Sequence, residues 1–125
     1  MNGLTLDTGA LIAAERGDLQ VVALLARAAR RRMAVAIPSG PLAQVWRADP
    51  RQHRLHLLLS DDRVEVPPLD RNEALAVGAI CARTRTSDVI DASVASCARR
   101  RRHTVVTPDP DDIHRLDPTL HLIPV

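Results

Sequence analysis

The 125-residue sequence has no lysine, no phenylalanine and no tyrosine, and Trp46 is its only aromatic residue. Without lysine, all 17 basic residues are arginines, so mechanisms that need a lysine nucleophile, a Schiff base or a phosphate-gripping ammonium group are excluded. Without aromatics, a nucleic-acid site built on stacked bases is nearly excluded, and the core has to come from Leu, Val, Ile and Ala. Cysteine is scarce: Cys81 and Cys97 lie far apart, with no CxxC and no Cys/His cluster at zinc-ligand spacing. They read as small core residues. No uncharged apolar run approaches the ~18 residues of a membrane span. The opening stretch lacks the basic n-region of a secretory signal, so a cytoplasmic location with no membrane partner is expected.

Hydrophobic residues make up 46% and charged residues 26%, the balance of a globular protein with one core, and residues 1–125 are expected to form a single domain. The net charge of +2 conceals an uneven distribution. Arginines cluster at Arg27, Arg30, Arg31 and Arg32 and again from Arg99 to Arg102; acids cluster at Asp88 and Asp91 and at Asp109, Asp111 and Asp112. An acidic focus beside basic patches suits a polyanion held against metal ions. Each arginine run reads equally well as a helix end, where the helix dipole favours cations.

The pattern along the chain predicts strand 3–6, a helix from Gly9 to near Gly17, and a helix capped by Asp18 that reaches Arg32 on the spacing of Leu19, Val22, Leu25, Ala26 and Ala29. Strand 34–37 leads through the turn Pro38-Ser39-Gly40-Pro41 into a helix carrying Gln44, Val45 and Trp46. Asp49-Pro50 restarts a helix to Leu59, and 64–66 alternates as a strand. Asp70 caps a helix through Ile80, 84–87 is a loop, and Asp88 opens a helix that ends in the second arginine run. Strand 104–107, a short helix 109–115 and strand 120–123 complete the chain. Strands that alternate with helices in this way predict a mainly parallel sheet between two helical layers, a three-layer α/β/α sandwich.

In such sheets ligands bind beyond the carboxyl ends of the strands. Asp7 follows the first strand, Asp109 lies just beyond the fourth, and Asp91 sits in the first turn of the helix leading into that strand. Three acids from distant parts of the chain can thus converge on one sheet edge. Asp88 and Asp91 share a helix face, with Cβ atoms roughly 5–6 Å apart. Taken singly, Asp7, Asp88 and Asp109 also stand where helix N-caps belong. Taken together, carboxylates crowded at one edge repel one another, and a hard cation such as Mg²⁺ or Mn²⁺ relieves that repulsion. Receiver-type and haloacid-dehalogenase-type sites need a lysine, a P-loop needs both lysine and a glycine-rich turn, and no Ser/His/Asp arrangement is visible. The five histidines read as surface or ordinary core residues.

Leu6-Asp7-Thr8-Gly9-Ala10-Leu11-Ile12-Ala13 resembles the opening of PIN domains, particularly bacterial VapC-type toxins. Asp88-Val89-Ile90-Asp91-Ala92 resembles their internal acidic helix start, and the run Val105 to Ile113, with Thr107-Pro108-Asp109, resembles their closing T-x-D segment. The resemblance implies that Asp7, Asp91 and Asp109 are metal-site acids, that Asp88, Asp111 or Asp112 adds further contacts, and that Thr8 and Thr107 orient water or a carboxylate. It also implies Mg²⁺- or Mn²⁺-dependent cleavage of RNA, a homodimer, and neutralisation by a cognate antitoxin whose tail enters the cleft. One position departs from the family: Gln44 stands where PIN domains usually carry Glu. Glutamine keeps a carbonyl acceptor but adds no charge, so weaker metal binding is expected. Glu15, about 12 Å along the first helix from Asp7, is poorly placed to compensate. Two alternatives stay open: a non-catalytic PIN-like module that binds RNA or an antitoxin, and a nuclease acting on DNA.

Overall fold

The computed structural model describes residues 2–125. Five strands and seven α-helices follow in the order β1 (Gly3–Leu6), α1 (Thr8–Arg16), α2 (Leu19–Arg30), β2 (Ala34–Ala36), α3 (Ser39–Val45), α4 (His53–Leu59), β3 (Val64–Glu65), α5 (Arg71–Thr84), α6 (Val89–Arg101), β4 (Thr104–Thr107), α7 (Pro110–Leu116) and β5 (Leu122–Pro124), with a 3-10 turn at Pro50–Gln52 ahead of α4. The strands form one sheet in the order β3-β2-β1-β4-β5, and every pairing is parallel. The expected architecture is therefore present, and the sheet is wholly rather than mainly parallel.

Strand alternation divides the core between the two faces. Leu4 and Leu6 of β1 and Val106 of β4 pack with Leu11, Ala28, Val45 and Leu55 from α1 to α4. Val105 packs with Val94 and Ala98 of α6 and Ile113 of α7, and Thr5 also faces α6, where its hydroxyl meets Cys97. Helix α6 packs against the sheet and against α5, α7 and α3, and its residues Ala92 to Ala98 are all buried. Ala, Ser, Val and Cys fill that stretch because larger side chains would hold the layers apart. Each fully buried Leu, Ile or Val contributes roughly 1.5–3 kcal/mol. Cys97 is buried, Cys81 is partly buried, and both are free thiols. His103 is buried, with Nδ1 3.0 Å from the Thr5 hydroxyl.

Local signals set the helix ends. Asp18 accepts from the Val21 amide, and Gly17 takes a left-handed conformation (φ 73°) that closes α1 with hydrogen bonds back to Ala13 and Ala14. Elsewhere the boundaries move from those expected. Helix α3 begins at Ser39 inside the expected turn and stops before Trp46, whose backbone is extended while the next amide, of Arg47, donates to the Gln52 side chain. Thr84 stays helical, its hydroxyl donating to the Ile80 carbonyl. β5 starts later than expected because Asp117 first accepts from the Thr119 amide and hydroxyl, folding 117–119 into a turn. Among the described residues no helix is long and apolar enough to cross a membrane.

Candidate functional site

The parallel sheet brings the ends of β1 and β4 side by side, and the Asp7 amide still donates to the Val106 carbonyl. Asp7 is only 4% exposed. It caps α1, with Oδ1 accepting from the Ala10 amide at 2.8 Å. One glycine makes this approach possible: a Cβ on Gly9 would run into the Pro108 ring, so only glycine lets the first turn of α1 lie against the segment that carries Asp109. Burial pushes the Asp7 carboxyl above its ordinary range; the Thr107 hydroxyl and the Ala10 amide pull it down, and Asp109 pushes it up again.

Thr107 is fully buried at the end of β4, and its Oγ1 accepts from the Asp109 amide at 2.9 Å. That bond folds the chain back so that Asp109 faces Asp7. Asp109 stands at the N-cap of α7 without making a side-chain capping bond, so its carboxylate is not consumed by the helix.

The third acid comes from the start of α6. Asp88 is an exposed N-cap whose Oδ1 accepts from the Asp91 amide at 2.9 Å, while its own amide donates to Thr86. Asp91 is half-buried one turn further on. Its carboxyl is pushed up to about 6, first by burial, then by the charges of Asp88 and Asp7, by a hydrogen bond with Asp88, and by Asp112. Asp91 thus responds to acids from three separate segments. Beside it lies a cavity of about 200 Å³ whose lining includes Arg85, Asp88, Asp91, Asp112 and Arg115.

Asp7 is therefore within electrostatic reach of Asp109 and Asp91, and Asp91 of Asp88 and Asp112, although Asp7 and Asp109 do not line the cavity beside Asp91. Asp111, next to Asp112, is exposed, with no hydrogen bond or ion pair among the described residues. Thr8 donates to Gln44 Oε1 at 2.5 Å across the α1–α3 contact, so Gln44 is held by the residue next to Asp7, with one of its two carbonyl lone pairs engaged. The oxygen-only donors and crowded negative charge fit a hard divalent cation in kind. Among the described residues no three Asp, Glu, His or Cys side chains form a ready metal-binding group. Arg85 and Arg115, which line the cavity beside Asp91, were not apparent in the sequence, because Arg85 falls in a stretch read as a loop and an arginine at a helix end, as Arg115 is, reads alike whether it faces solvent or a pocket. Of the Arg99–Arg102 run, three residues are tied into the fold: Arg99 to Asp117, Arg100 to Glu73 and Arg101 to Glu65.

The model of the PIN domain family matches residues 4–117. No functionally curated protein matches this chain in sequence. Among solved structures, VapBC2 from Rickettsia felis bound to a DNA fragment from their promoter superposes with a TM-score of 0.74 at 21% identity, over 98% of both chains. FitAB bound to an IR36 DNA fragment superposes at 0.66, with 18% identity over 97% of this chain and 94% of that one. FitAcB from Neisseria gonorrhoeae superposes at 0.62, with 20% identity over 96% of each. At these identities the likeness is one of fold.

Proposed function

The chain belongs to the PIN domain family, and on that premise we propose that it is a metal-dependent endoribonuclease, the toxin of a toxin–antitoxin pair, acting as a single PIN-like domain in the cytoplasm. One observation carries the reading: acids far apart in sequence feel one another at one sheet edge, Asp7 the charge of Asp109, and Asp91, pushed up to about 6 first by burial and then by Asp88, the charge of Asp7. Structural caps at a surface have no need of that mutual repulsion.

On this reading Asp7, Asp91 and Asp109 hold Mg²⁺ or Mn²⁺, and Asp88 and Asp112 add negative charge behind Asp91. When bound, the ion offsets the carboxylates, polarises a phosphate oxygen and acidifies a water. The Ala10 amide fixes the Asp7 rotamer, Thr107 orients Asp109, and Arg85 and Arg115 attract the substrate phosphates. Thr8 holds Gln44 beside the site. A cognate antitoxin covers the cleft, and the active form is a homodimer; the neighbours of like fold include VapBC and FitAB complexes.

The test is incubation of the partner-free protein with total bacterial RNA over a range of Mg²⁺ and Mn²⁺, with EDTA and Asp7→Asn as controls. Discrete fragments that need both metal and Asp7 are expected. Undiminished cleavage by a folded Asp7→Asn protein would overturn the assignment, and preferential cutting of a DNA competitor would turn it towards DNA. A second reading, a PIN-like binding module without catalysis, is favoured by Gln44, which supplies no charge and whose carbonyl already accepts from Thr8. Absence of cleavage by folded protein at every metal concentration, with RNA or antitoxin binding retained, would select it.

A further inference from the structure

The acid cavity adjoins a second depression. It shares Leu116 as a wall with a groove of about 760 Å³ between α5, α6 and the turn after α7. The cations of that groove are Arg83, Arg99 and Arg100. Two of them are spoken for, Arg99 by Asp117 at 3.1 Å and Arg100 by Glu73 at 3.0 Å. Arg83 in the groove and Arg85 in the acid cavity meet no carboxylate within ion-pair distance among the described residues. These two unpaired charges flank Thr84 at the end of α5, one on each side of the boundary between the depressions.

Arg85 also holds a backbone conformation that disfavours it. As the C-cap of α5 it is left-handed, φ 58°, where glycine is the favoured residue. Arg32 is likewise left-handed beyond α2, but it lines neither depression. The conformation alone therefore does not single out Arg85; its place in the wall of the acid cavity does. A guanidinium fork there can grip a phosphate in bidentate fashion.

We propose that Arg83 and Arg85 form a phosphate clamp at the end of α5 that leads a single RNA strand out of the acid cavity into the α5–α6–α7 groove. The inference rests on the nuclease reading above. A purely structural account of the same residues is that cations at a helix C-terminus gain from its dipole, in which case they affect stability and not RNA binding.

The experiment is fluorescence anisotropy with a labelled single-stranded oligoribonucleotide in EDTA, where no metal-dependent cleavage occurs, over a range of salt, with thermal melts of each protein. Arg83→Gln and Arg85→Gly are each expected to weaken binding severalfold and to reduce the slope of log K against log salt by about 0.7. Arg85→Gly is also expected to raise Tm by about 3–5 °C. Arg32→Gly, the control, gains a similar Tm increment with unchanged RNA affinity. Wild-type affinity and slope in both Arg83→Gln and Arg85→Gly would overturn the clamp while leaving the nuclease reading in place. A wild-type protein that binds no RNA would overturn both. Displacement of the RNA by poly-glutamate as readily as by unlabelled RNA would assign the groove to an acidic polypeptide and overturn the clamp.

Discussion

At the scale of single residues, the acid site opposes the stability of the fold. Asp91 has a folded-state carboxyl near 6 against an ordinary value of 3.8. The folded protein therefore holds that proton more tightly than the unfolded chain, and the associated stability is present below 3.8 and lost as pH rises through about 6. Discounted for the partial exposure of Asp91, the loss is about 1–2 kcal/mol. Asp91→Asn is accordingly expected to be the more stable protein in EDTA at pH 7.5, with the difference shrinking at pH 4.5; urea unfolding at both pH values measures it. Equal stabilities at pH 7.5 would show that Asp91 is not electrostatically strained. Gln44→Glu adds charge where Thr8 now donates to a neutral carbonyl, and Mn²⁺ titration is expected to give a tighter Kd, with cleavage raised in parallel if Gln44 limits the wild type. The three central acids were legible in the sequence because each follows a strand or opens a helix. The choice between Asp111 and Asp112 was not, because it depends on how Ile113 and Leu116 seat α7. Arg85 was passed over inside a segment read only as a loop.

At the scale of elements, the strands and helices were legible in order, α2 from its helical spacing, β1 and β4 from short apolar or β-branched runs that are buried on both faces, and most from the breakers beside them. The ends escaped where a side chain captured a backbone group: Gln52 at the Arg47 amide, Thr84 at the Ile80 carbonyl, Asp117 in the turn before β5. These are contacts between local geometry and fold, and no periodicity reports them. The junction of α1 and α2 offers a check on the signals that were legible. Asp18→Ala removes the cap of α2 and is expected to cost about 1 kcal/mol. Gly17→Ala forces a side chain into a left-handed position, at a cost of about 1 kcal/mol or more. Denaturant midpoints read both, and RNA cleavage at matched folded fraction is expected to be unchanged.

For the whole molecule, stability and metal binding are linked through the same sheet edge. Leu11, on the inner face of α1, is fully buried in the core, so Leu11→Ala is expected to cost about 2–5 kcal/mol. If the carboxylates hold a divalent ion, saturating Mn²⁺ raises Tm, and the rise is larger at pH 7.5 than at pH 5 because the ligands must be deprotonated. An unchanged Tm at both pH values would count against a resident metal.

The strand order has a consequence for how the protein comes into being. β1, which precedes the other four strands in sequence, lies at the centre of the sheet, and Leu4 pairs with Thr104, 100 residues later. At ordinary ribosomal speeds of ~5–20 residues per second, roughly 5–20 seconds separate the synthesis of Asp7 from that of Asp109. Throughout that interval Asp7 waits for an Asp109 that has not yet been synthesised. No nascent fragment that stops short of β4 and Asp109 holds the assembled acids, so whatever activity they support waits for that part of the chain.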